Sequence, residues 1–135
     1  MLLSSYFRSL VNRYKLGSSK DSMRETFPHN ARFLVIPRRN DSSYGKGDVV
    51  VFQDLSDGSI NLVKRIIGTP DEDIVVDGKE YFLGTDEYFV IGESHGHVSG
   101  YIPYDSRYFG PISVNYIIGR AWFMYWPLGR IGRVS

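Results

Sequence analysis

The hydrophobic positions of this chain change period once. Leu2, Leu3, Tyr6, Phe7, Leu10, Val11 and Tyr14 recur at helical spacing, with Arg8, Arg13 and Lys15 between them. That pattern predicts a short amphipathic helix over residues 1–17. The small, polar stretch Gly17–Ser22 then reads as a linker. Beyond it, short runs rich in β-branched and aromatic residues take over: Arg32–Ile36, Asp48–Phe52, Ile60–Ile67, Asp73–Val76, Glu80–Leu83, Tyr88–Ile91 and Ile117–Tyr125. Turns bearing Gly, Asp and Pro separate them, and Asp77-Gly78 is a two-residue hairpin signal. Residues 18–135 are therefore expected to form an all-β domain. Its short antiparallel strands would coil or close so that few edges are left bare.

One polar residue breaks the strand pattern. In the run Ile60–Ile67, alternation puts Ile60, Leu62, Lys64 and Ile66 on one side of the strand. A lysine among three large aliphatics is badly placed as a surface charge. Burial disfavours the ammonium form and lowers its pKa, which suits a lysine to act as a general base. The bland alternative is a snorkelling side chain whose stem covers apolar surface. A base also needs a nucleophile, and Ser22 lies on the linker just ahead of the first strand of the domain.

Composition narrows the field. Apolar residues make up 42% of the 135 and aromatics 15%, so the chain can bury a real core. Sixteen basic against fifteen acidic residues leave a formal charge of +1, and Arg38-Arg39 with Lys46 is too small a basic patch for nucleic acid. The absence of cysteine removes disulfides and thiolate chemistry. No stretch approaches the run of about 20 apolar residues needed to span a bilayer, and no uninterrupted apolar region suggests a cleaved signal. The 1–17 helix would either lie on a membrane surface, basic residues toward anionic lipid, or pack on the domain.

Beyond these separate features, a series of blocks resembles the type I signal peptidases, membrane-bound serine proteases with a Ser-Lys dyad. Asp21-Ser22-Met23-Arg24-Glu25-Thr26-Phe27 is similar to the nucleophile block, and Gly47-Asp48-Val49-Val50-Val51-Phe52 to the strand that follows it. Val63-Lys64-Arg65-Ile66-Ile67-Gly68-Thr69-Pro70 resembles the block that carries the general-base lysine. Tyr88-Phe89-Val90-Ile91-Gly92 leads to Asp105-Ser106-Arg107-Tyr108-Phe109-Gly110-Pro111, similar to the last family block. Ile117-Ile118-Gly119-Arg120-Ala121 and Tyr125-Trp126-Pro127 close the match, which runs from about residue 20 to 132.

The resemblance implies a serine endopeptidase that removes signal peptides from exported preproteins. Ser22 would be the nucleophile and Lys64 its base, with the main-chain N–H of Ser22 as an oxyanion donor. Asp105 and Arg107 match a salt bridge that braces the family's site. No metal or organic cofactor is implied. The partners would be preprotein signal peptides and a membrane surface, with the active site on the extracytoplasmic or lumenal side.

Departures from the family pattern cluster at the site. Lys20 stands where many relatives have Ser or Gly, and Glu25 where proline is usual. Glu93-Ser94 replaces Asp-Asn, and Pro103 replaces a serine that hydrogen-bonds the lysine amine. The loop from Gly92 to Asp105 is also longer, and Ser99 or Tyr104 could supply the missing hydroxyl. These differences motivate a rival reading, a catalytically weakened relative that binds peptides or serves as a partner subunit. Glu93, His95 and His97 share one loop, where solvated polar residues are a commoner explanation than a metal site. The run Trp122–Trp126 is either core with one exposed face or an interfacial aromatic belt.

Overall fold

Val49-Val50-Val51-Phe52 has no polar residue at either alternate position, as in a strand covered on both faces. A computed structural model, which describes residues 14–15, 31–93, 103–126, 129 and 131–134, shows that arrangement. The strands are β1 (Tyr14–Lys15), β2 (Arg32–Pro37), β3 (Val49–Gln53), β4 (Asn61–Gly68), β5 (Asp73–Val76), β6 (Lys79–Phe82) and β7 (Glu87–Ile91). A single helical turn, α1 (Ser106–Phe109), precedes β8 (Ile112–Ser113), β9 (Ile117–Trp126) and β10 (Gly132–Arg133). The fold is all-β and antiparallel. Its main sheet runs β1-β2-β9-β3-β4-β7-β8, with β10 also on β9 and β5-β6 as a separate hairpin.

Strand β3 divides the core. Val49 and Val51 join Phe33, Val35, Ala121 and Met124 on one face, while Val50 and Phe52 join Ile66, Tyr88, Val90, Ile112 and Ile117 on the other. The long strand β9 serves both clusters because it is bulged. Ile118 is the extra residue against β3, and Trp122 and Tyr125 are extra against β2. Bulges bend a strand and strengthen its twist, so one strand can line two packing layers.

At Gly119 the backbones of β2 and β9 come too close for a side chain. An added Cβ would stand 2.2 Å from the Ile36 carbonyl oxygen and 2.7 Å from Val35 Cγ1. Gly119→Ala is therefore expected to lower stability by about 3 kcal/mol, read as an earlier urea midpoint. The hairpin signal also holds, since Asp77 and Gly78 both take positive φ between β5 and β6.

The helix expected over residues 1–17 lies outside the described residues, apart from Tyr14 and Lys15. These two pair with Phe33 and Arg32 as strand β1. Ser22, Lys20 and Glu25 also lie outside the described residues. Strands β8 and β10 and the turn α1 went unpredicted because two to four residues are too few to show a period.

Candidate functional site

Lys64 sits in β4 with only 5% of its surface exposed. Its register partner on β3 is Val50, and Leu62 and Ile66 flank it on the same strand face. Ile60 does not complete that face. It precedes β4, is 47% exposed, and its carbonyl instead accepts the Asp54 N–H to close the β3-β4 turn. The lysine is thus walled by Val50, Leu62 and Ile66, with Phe52 one step along β3.

The segment Pro103–Gly110 covers this face. The Phe109 ring meets Phe52 edge-on at 6.2 Å, and the Tyr104 ring meets Phe109 at 5.3 Å. Asp105, fully buried, ties the segment to β7. Its Oδ2 accepts the Gly92 N–H at 3.0 Å, and its Oδ1 accepts the Arg107 N–H at 2.9 Å, capping α1. The Arg107 guanidinium closes the pair, with Nη2 at 2.6 Å from Oδ2 and Nε at 3.0 Å from Oδ1. The carboxylate, as a charged acceptor beside it, holds the Arg107 proton more tightly than usual. Ser106 Oγ accepts the Val90 N–H at 2.9 Å, so Ser106 and the cap residue Asp105 occupy the outer edge of β7 beyond Tyr88, where no described strand continues.

A second ion pair grips β4 from its other face. Arg65 donates to Glu93 Oε1 from Nε at 2.9 Å and from Nη2 at 2.6 Å, and its Nη1 reaches the Gly47 carbonyl at 2.6 Å. Glu93 is therefore a structural partner of Arg65. His95 and His97 lie outside the described residues, and among those described no group of three potential ligands could hold a metal.

Tyr104 shows a role that sequence reasoning missed. Its hydroxyl donates to Asp54 Oδ1 at 2.5 Å and stands 3.1 Å from Ser56 Oγ. That bond raises the phenol's pKa, so its contribution is complete below the ordinary tyrosine range and fades only as pH passes the raised value. The sequence clue was the Asp54-x-Ser56 turn pattern, in which Asp54 Oδ1 accepts the Ser56 N–H at 3.2 Å. Ser99 lies outside the described residues, and Pro103, half-buried, offers only its carbonyl, which accepts the Asp105 N–H.

Beside Lys64 runs a strand edge that no described strand covers. β4 pairs with β3 from Asn61 to Arg65 but with β7 only from Arg65 to Gly68. Ile66 and Ile60 turn their main-chain groups toward the β3 side. Alternation then turns those of Asn61 and Val63 outward, toward an edge that no described strand covers. At the far end of the sheet, the bulge at Trp122 leaves its ring 37% exposed. Among the described residues no helix is long and apolar enough to cross a membrane.

The family model for signal peptidase, peptidase S26, matches residues 9–84, more than half of the chain. The human mitochondrial inner membrane protease subunit 1 is 33% identical over 90 residues, which cover 64% of this chain and 53% of that protein. Subunit 2 from Danio rerio is 32% identical over 67% of this chain and 48% of its own length. A signal peptidase I from Leptolyngbya laminosa is 26% identical over 85% of this chain and 70% of its own. The chain thus spans about half the length of the two mitochondrial relatives.

Proposed function

Because the chain belongs to the signal peptidase family, peptidase S26, we propose that it is a serine endopeptidase that cuts signal peptides from exported preproteins. Lys64, buried beside the β4 edge at Asn61–Val63 that no described strand covers, is the observation that carries this reading. An extended substrate would add itself to that edge as a strand, through the main-chain groups of Asn61 and Val63. Small pockets beside it would select the residues one and three positions before the cut.

In the reaction, the neutral Lys64 amine takes the Ser22 proton as Ser22 Oγ attacks the scissile carbonyl. The Ser22 N–H stabilises the oxyanion, and the resulting ammonium returns its proton to the leaving amine. Water then hydrolyses the acyl-enzyme, again with Lys64 as base. Asp105 and Arg107 brace the face that holds the lysine. The site would work at a membrane surface, on its extracytoplasmic or lumenal side. The named relatives of the mitochondrial inner membrane support a membrane setting. The basic face of residues 1–17 and the Trp122 ring are the surfaces that would contact lipid.

The test is cleavage of a signal-peptide substrate in detergent by the full chain and by Ser22→Ala. Loss of cleavage in the variant is expected, and equal cleavage by both would overturn the reading. Only the neutral amine accepts a proton, so kcat/KM should rise with pH through the Lys64 ionisation. Glu25, where relatives carry proline, would favour the ammonium form if its carboxylate faces the dyad. Glu25→Pro is then expected to move the rising limb of the pH profile to lower pH and to raise turnover near neutrality.

A further inference from the structure

The segment Pro103–Gly110 spans the face of β4, and each side of it is fastened differently. On the β7 side Asp105 and Ser106 hold the Gly92 and Val90 amides. On the β3 side, among the described residues, there is the contact of Phe109 with Phe52 and the Tyr104 hydroxyl, which donates to Asp54 at 2.5 Å and stands 3.1 Å from Ser56 Oγ. Helix α1 is four residues long, too short to hold its own shape in water. Its place over the sheet depends on these two attachments.

We propose that Tyr104 is a positioning residue, whose hydroxyl bond to Asp54 fastens the covering segment to the β3-β4 turn and so holds the Lys64 environment closed. This rests on the peptidase reading above. The attachment is built for the purpose. Asp54 is 7% exposed, and its Oδ1 is already oriented by the Ser56 N–H and hydroxyl, at 3.2 and 3.3 Å. A carboxylate so desolvated needs strong donors, and a phenol at 2.5 Å supplies one. The ring is fixed as well, between Phe109 at 5.3 Å and Tyr108 at 5.5 Å, so little rotamer freedom is lost when the bond forms. Lys64 lies between the two attachments, because β4 lies between β3 and β7. Releasing the β3 side would admit water to the apolar wall around the amine without touching Lys64, Asp105 or Arg107.

The experiment uses the full chain and two readouts, steady-state kinetics on a signal-peptide substrate and hydrogen exchange at the Gly92 and Val90 amides. Tyr104→Phe removes only the hydroxyl. It is expected to lower kcat about tenfold with KM little changed, and to speed exchange at both amides about tenfold. Asp54→Ala also strips the acceptor from the Ser56 N–H and hydroxyl and should lose at least as much. The double variant should be no worse than Asp54→Ala alone, since the Tyr104–Asp54 bond can be lost only once. Asp54→Asn keeps an acceptor for the phenol and should restore most of both readouts. Unchanged exchange in Tyr104→Phe would overturn the fastening. Faster exchange with unchanged kcat would overturn its part in positioning Lys64. A wild-type chain that cuts no signal peptide would overturn the peptidase reading, and exchange would still decide whether Tyr104 fastens the segment.

Discussion

Lys64→Met is expected to abolish signal-peptide cleavage, lowering kcat by about 10⁴-fold or more, while the protein stays folded. Met keeps the length and apolar character of the lysine stem, so Val50, Leu62 and Ile66 keep a neighbour of similar volume. The thermal midpoint should therefore move far less than the activity does. Activity lost without stability lost is the signature of a catalytic base. A Met variant that still cleaves would mean that another group deprotonates Ser22, and the dyad mechanism would fail. A surface lysine would behave oppositely, with neither quantity moving by more than a few tenths of a kcal/mol.

Asp105→Ala should lower stability by about 3 kcal/mol, read as a shift in the urea or thermal midpoint. One fully buried carboxylate takes donors from the Gly92 amide, the Arg107 amide and two guanidinium nitrogens. Truncation leaves the Gly92 N–H without its acceptor and Arg107 with only the distant Asp77 carboxylate, at 4.0 Å, as a described anionic partner. Asp105→Asn should cost less, because the amide oxygen still accepts although the charge is gone. Activity should fall with both variants, since this residue ties the segment that covers the Lys64 face to the end of β7. If Asp105→Ala unfolded no more easily than the wild type, the pair would be an ordinary surface salt bridge and could not brace the site.

How much of this was legible beforehand depends on the range of the interaction involved. The central strands were readable because each carries its own periodic signal, and their observed limits differ from the expected ones by at most one residue at either end. The hairpin at Asp77-Gly78 was readable because only a few residue types tolerate positive φ. Lys64 stood out because a charge on an apolar strand face conflicts with the pattern around it. Ile60 was misassigned to that face because alternation cannot tell where a strand begins. Its carbonyl closes the preceding turn, a bond set by Asp54 across the loop.

Other features exist only in three dimensions. Glu93 looked like a loop residue beside two histidines until the sheet brought it to Arg65, 28 positions away. Tyr104 and Asp54 are 50 residues apart, and neither has a local pattern that names the other. The edge at Asn61–Val63 that no described strand covers is a property of how far β7 runs along β4, which no single segment encodes. The sequence by itself determined the all-β class, the central strands and the out-of-pattern lysine at position 64, because propensity, alternation and side-chain type are local. The tertiary structure alone decided that Lys64 is buried, that Asp105 holds both Arg107 and Gly92, and how far β7 runs along β4. Burial and pairing are set by what the rest of the chain places against a residue.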